Sequence, residues 1–189
     1  MNRRLFLALL GVTPPAIGDV LCTFGESGKQ CFAQPKRADV LLVGDSLAFG
    51  LGPPLKKLSK ARGHEVIVNA RGGTTARQWL GEHWFAATLA RHRPEVLLVS
   101  LGTNCRRPER PVFGDDVAGL LALVPEETRV IWLFPPSSMW FSTQYIRDGL
   151  AKNAVEVIEA GALQLNKDRV HPTIRGNLRW ARALVSKLW

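Results

Sequence analysis

Residues 38–50 read ADVLLVGDSLAFG, and the fold follows from how this stretch is interpreted. Val40, Leu41, Leu42 and Val43 form an unbroken apolar run with two β-branched residues, the pattern of a strand buried on both faces of a parallel sheet. The strand stops at Gly44. Asp45 and Ser46 then lie where the chain leaves the carboxyl end of a central strand, the edge at which open α/β sheets bind ligands. A serine there is a candidate nucleophile. Gly-Asp-Ser is also what a turn with a helix cap needs for backbone reasons alone, so both readings stand at this point.

Outward from this stretch, strand and helix patterns alternate. Helical spacing over 51–62, with Pro53 and Pro54 early, is followed by a strand at 64–68, a glycine-bearing loop Asn69–Thr75 and a helix over 76–90. A third strand over 95–101 leads into Gly102-Thr103-Asn104. Next come a helix over 114–124, a fourth strand over 129–134 closed by Pro135-Pro136, and an amphipathic helix over 144–160. Gly161 caps that helix, 162–165 reads as a short fifth strand, and 173–189 as a final helix. The alternation predicts a three-layer α/β/α sandwich around a mostly parallel sheet of about five strands, flavodoxin-like in its layering.

With 189 residues, the chain has length for one domain with a sizeable core. It is 46% hydrophobic and 22% charged, with a mean hydropathy of zero and no apolar run of about 18 residues that would span a membrane. The formal charge of +9 raises nucleic acid, anionic lipid or acidic polysaccharide as partners. Lys and Arg are scattered rather than gathered in a tract, with only short clusters such as Arg106, Arg107 and Arg110, which argues against nucleic acid.

Residues 1–35 differ from the remainder. Asn2-Arg3-Arg4, the apolar Leu5 to Val12 and then Pro14-Pro15 resemble a secretory signal peptide, with an N-terminal arm as the alternative, so periplasmic, secreted and cytoplasmic locations all stay open. A single domain is expected over 36–189. Cys22 and Cys31 are close enough in sequence to pair in an oxidising compartment, leaving Cys105 odd. The four histidines, at 64, 83, 92 and 171, and the lack of CxxC spacing give no metal site, and no cofactor motif is present.

The unusual polar and glycine motifs each follow a predicted strand at one edge of the sheet. Ser46, Gly72-Gly73, Asn104 and the segment Asp168 to His171 therefore converge. An acyl-transfer site needs a nucleophile, a base, an orienting acid and oxyanion donors, and these loops hold candidates for each. Ser46 would attack, His171 would take its proton, and Asp168 would fix the imidazole tautomer. Singly, His171 also reads as a surface residue before Pro172, and Asn104 as a turn residue.

Together, Gly44-Asp45-Ser46-Leu47, the glycine of Asn69-Ala-Arg-Gly-Gly-Thr-Thr, Gly102-Thr103-Asn104 and Asp168-Arg-Val-His171-Pro172 resemble the four ordered blocks of the SGNH (GDSL) hydrolases. The resemblance covers Val40 to the C-terminus. It implies a serine esterase with Ser46, Asp168 and His171 as triad and an oxyanion hole from the Ser46 amide, the Gly73 amide and the Asn104 side chain, with Gly72 as the alternative glycine. Cys105 stands where many members carry an aspartate, which puts the support behind Asn104 in question.

Such enzymes cleave carboxylic esters and thioesters. The domain has no long insertion for a greasy lid, so a short-acyl ester is expected, an O-acetylated saccharide first. The alternatives are a lipid-directed esterase or thioesterase, an O-acyltransferase with the same triad, and a non-catalytic glycan- or anion-binding protein. Trp140, Trp79 and Trp84 are candidates for stacking on a sugar. Arg71 and Arg106, with Arg77, Arg107 and Arg110, are candidates for holding an anionic group on the substrate.

Overall fold

The computed structural model describes residues 20–25, 28–33 and 39–189, so the signal-peptide-like segment Met1 to Val12 lies outside the described residues. The chain forms two compact units, 1–36 and 37–189. In the smaller, β1 (Val20–Gly25) and β2 (Gly28–Ala33) make an antiparallel hairpin whose register sets Cys22 opposite Cys31.

In the larger unit five strands form one parallel sheet. These are β3 (Val40–Gly44), β4 (Val66–Ala70), β5 (Val96–Ser100), β6 (Arg129–Phe134) and β7 (Glu156–Glu159), in the order β4-β3-β5-β6-β7. Alternation along β3 divides the core: Val40 and Leu42 face one layer, Leu41 and Val43 the other. The first layer holds α1 (Ser46–Lys60) and α6 (Ile174–Leu188). On the other lie α2 (Ala76–Gly81), α3 (Trp84–His92), α4 (Phe113–Leu121) and α5 (Gln144–Lys152). The sandwich and its five-stranded sheet agree with the sequence expectation, and the sheet is parallel throughout. No described helix is long and apolar enough to cross a membrane.

Element boundaries depart most from expectation in four places. Helix α1 begins at Ser46, not 51, because Asp45 caps it, which puts Pro53 and Pro54 in mid-helix and leaves the Phe49 and Gly50 carbonyls without their i+4 donors. The helix expected over 76–90 breaks at His83, whose φ of 57° is left-handed. The helix expected over 144–160 ends at Lys152. Asn153 ties it off by donating from its amide to the Gly114 and Gly149 carbonyls, and Glu156–Glu159 is instead the fifth strand. Consequently 162–165 is not a strand; Leu165 makes only an isolated bridge to Pro172.

Candidate active site

The register places Gly44 beside both Ala70 and Ser100, so β3, β4 and β5 end level and their loops meet at one edge. Gly44 must be glycine, because a β-carbon there would collide with the Ser100 carbonyl oxygen and with Ala48. Asp45 follows in extended backbone, its N–H donating to the Ser100 carbonyl at 3.1 Å, and its Oδ1 accepts from Leu47 N–H at 2.9 Å. Ser46 is thereby fixed as the first residue of α1, half-buried, where unpaired helix N–H groups gather.

The loop before α6 is folded around Asp168. Its Oδ1 accepts from the Val170 and His171 backbone N–H groups at 2.9 and 3.0 Å, while Arg169 takes a left-handed φ of 57° to make the bend. Those two N–H donors, then the His171 ring, hold the Asp168 carboxyl down at about 2. Asp168 Oδ2 lies 2.9 Å from His171 Nδ1, and His171 Nε2 lies 2.8 Å from Ser46 Oγ. An ionised carboxylate on Nδ1 selects the tautomer protonated there, so Nε2 is left to accept from the serine hydroxyl.

Asn104 comes to the same place from the end of β5. Its Nδ2 donates one hydrogen to Asp45 Oδ2 and the other to the Thr74 carbonyl, both at 3.1 Å. Gly73, with φ of 74°, lines a cleft of about 200 Å³ together with Thr75, Arg77, Gln78, Asn104, Arg106 and Glu109. The loop carrying Gly73 is braced from below, where Thr74 Oγ1 donates to the Arg71 carbonyl at 2.7 Å and accepts from Trp79 Nε1 at 2.9 Å.

What the sequence reading missed is the centre of this arrangement. Asp45 is the helix cap that the Gly-Asp-Ser turn suggests, and beyond that it is fully buried, with Oδ2 also accepting from Thr103 Oγ1 at 2.6 Å. Burial pushes its carboxyl up to about 6, against the pull of Thr103, the Leu47 N–H and His171. Asp45 therefore supports Asn104 from behind, the support that Cys105 puts in question at the sequence level. Cys105 itself is buried, and burial first, then Glu109 and Asp116, lifts its thiol to about 12, so it holds no thiolate.

The candidate substrate contacts separate. Arg106 and Arg77 line the cleft, although Arg77 is bound to Asp116 at 3.2 Å. Arg71 instead stacks its guanidinium over the Trp84 ring, 4.2 Å from the centroid. Trp79 is completely buried, so it is core and cannot stack on a sugar. Trp140 is 62% exposed and edge-on to Phe141.

No family model matches the chain, and no curated protein matches it in sequence. Solved structures do match. A protein from Slackia heliotrinireducens designated an SGNH hydrolase is similar at a TM-score of 0.65 and 16% identity, over 82% of this chain and 100% of that one. The fold is that of the SGNH hydrolases. Others sharing this SGNH fold are the acetyl xylan esterase Axe2-W215I from Geobacillus stearothermophilus (TM-score 0.62, 16% identity, 82% and 97% covered) and a Streptococcus pneumoniae peptidoglycan O-acetyltransferase A. The latter match is to its C-terminal catalytic domain, with a TM-score of 0.58, 16% identity and 81% and 93% of the chains covered.

Proposed function

We propose that this SGNH-fold chain is a serine hydrolase that cleaves carboxylic esters through an acyl-enzyme. The observation that carries the reading is the continuous hydrogen-bonded line from Asp168 Oδ2 through His171 to Ser46 Oγ, at 2.9 and 2.8 Å. In this reading Ser46 Oγ attacks the ester carbonyl as Nε2 takes its proton, and Asp168 stabilises the imidazolium. The C–O bond to the alcohol then breaks with His171 returning the proton to the leaving oxygen, and water repeats the sequence on the acyl-serine.

The Ser46 and Gly73 amides and Asn104 Nδ2 would receive the oxyanion. At rest both Nδ2 hydrogens of Asn104 are engaged. A negative oxygen competes better than the neutral Thr74 carbonyl, so that hydrogen is the one to be redirected. The hydrogen given to Asp45 keeps the amide in place.

The small polar cleft beside these donors favours a short acyl group, and among short-acyl esters an O-acetylated saccharide, as in the acetyl xylan esterase of the same fold. Arg106 on its rim would meet an anionic substituent, and Trp140 would offer an exposed ring; Arg71, already stacked on Trp84, is the weaker candidate. A lipid-directed reading is favoured by a second cleft of about 360 Å³, largely apolar, lined by Phe49, Gly52, Pro53, Lys56, Val68 and Ala70.

The test is hydrolysis of p-nitrophenyl acetate, butyrate and octanoate by the wild type and Ser46→Ala. Turnover fastest on acetate, with the variant lower by about three orders of magnitude or more, is expected. An optimum at octanoate selects the lipid reading. Equal, slow rates for both proteins on every ester would remove the catalytic one.

A further inference from the structure

The positive charge that looks scattered along the sequence is gathered in space. Residues 46–64 contain Lys56, Lys57, Lys60 and Arg62 and no aspartate or glutamate; residues 169–189 contain Arg169, Arg175, Arg179, Arg182 and Lys187, again with none. These nine cations equal the formal excess of +9. The rest of the chain, sixteen basic against sixteen acidic residues, is neutral.

Seven of these nine cations, all but Arg62 and Arg169, lie on α1 and α6, which share one layer. Helices α1 and α6 run parallel, since Asn177 packs on Gly50 near their starts and Arg62 Nη1 donates to the Val185 carbonyl at 2.9 Å near their ends. The inward residues of α1 are Leu47, Ala48, Leu51, Leu55 and Ser59. Its outward stripe is Phe49, Pro53, Lys56, Lys57 and Lys60, at helical spacing. Arg175, Arg179, Arg182 and Ser186 form the matching exposed stripe on α6.

Two large apolar side chains stand at the end of this face nearest Ser46 and His171. Phe49, one turn after the serine, is 70% exposed, and Ile174, three residues after the histidine, is 90% exposed. A soluble protein gains nothing by holding Phe and Ile in water, and a polysaccharide or nucleic acid offers an isoleucine no stacking partner. Cations that meet headgroups beside apolar side chains that enter the acyl boundary are the requirements of an anionic bilayer surface.

We propose that the α1/α6 face is a docking surface for an anionic lipid bilayer, held by the cations of its two outward stripes, Lys56, Lys57, Lys60, Arg175, Arg179 and Arg182, and by insertion of Phe49 and Ile174. The docked protein presents the Ser46–His171 edge to the interface. Binding of this kind requires no catalysis, so it stands or falls separately from the esterase reading.

The experiment is co-sedimentation of the full chain with vesicles of phosphatidylcholine, with and without about 30% phosphatidylglycerol, at salt of about 0.1 M. Wild type and Ser46→Ala should both bind the anionic vesicles and leave the neutral ones. Replacing Lys57, Lys60, Arg179 and Arg182 by Gln should weaken binding by about two to three orders of magnitude. Phe49→Ser with Ile174→Ser should weaken it about tenfold. Circular dichroism and an unchanged melting transition of the exposed-site variants establish that they fold.

Equal binding to neutral vesicles, no binding to anionic ones, or full binding by the four-fold Gln variant would each overturn the proposal. So would tighter retention on heparin or duplex DNA than on vesicles, with the Phe49 and Ile174 substitutions making no difference. That outcome would assign the face to a polyanion in solution.

Discussion

At the scale of single residues, Asp45 shows how a site's chemistry is set by a group that need not touch substrate. Burial raises its carboxyl from 3.8 to about 6, so near neutral pH the folded chain holds a charge that the interior disfavours. The stability this group contributes is full below 3.8 and is lost as pH rises through about 6, a difference on the order of 3 kcal/mol. In return the ionised oxygens orient Leu47 N–H, Thr103 and Asn104 together. Thr103 is the largest influence favouring the charged form. Thr103→Ala should therefore raise the Asp45 pKa further and move the acid limb of kcat/KM to higher pH, with the basic limb unchanged. A pH–rate profile on p-nitrophenyl acetate reads this directly; an acid limb that stays put would mean that Asp45 ionisation does not govern it.

At the scale of elements, the chain was most legible where burial dictates composition. Strand Arg129–Phe134 and the apolar run of β3 lie where the sequence sets them, because a strand covered on both faces must be apolar throughout. The convergence of Ser46, Gly73, Asn104 and His171 on one edge was likewise readable, since loops after parallel strands share an edge by topology. What could not be read is what long-range contacts decide. Val155, Val157 and Ile158 carry an apolar pattern that serves a helix or an edge strand equally, and pairing with β6 selects the strand. The helix break at His83 is of the same kind: nothing in Gly81-Glu82-His83 forbids a continuous helix. His83 adopts its left-handed conformation while exposed and makes no side-chain cap. His83→Gly should relieve that strain, and after allowance for the greater freedom of glycine in the unfolded chain the net gain is about 0.5–1 kcal/mol. The urea midpoint should rise accordingly. A lowered midpoint would show that the His83 side chain contributes packing that outweighs its backbone cost.

At the scale of the whole molecule, charge asymmetry is the dominant feature, and it escapes a reading along the chain because α1 and α6 come from opposite ends of the larger unit. The cations of α1 and α6 repel one another, and the exposed pairs Arg129–Glu156, Arg147–Glu159 and Lys152–Asp115 lie on other elements. Helix α1, fifteen residues long, spans about 22 Å. The screening length is about 30 Å at 0.01 M salt and about 10 Å at 0.1 M, so this range of salt separates a layer that repels end to end from one that repels only between neighbours. Added sodium chloride should therefore raise the melting temperature by a few degrees across that range. The variant with Lys57, Lys60, Arg179 and Arg182 replaced by Gln should melt higher than wild type at low salt and respond little to added salt. Exposed ion pairs act in the opposite sense, losing strength as salt rises. A melting temperature that falls with salt in both proteins would mean those pairs, and not repulsion across α1 and α6, set the electrostatic balance of the fold.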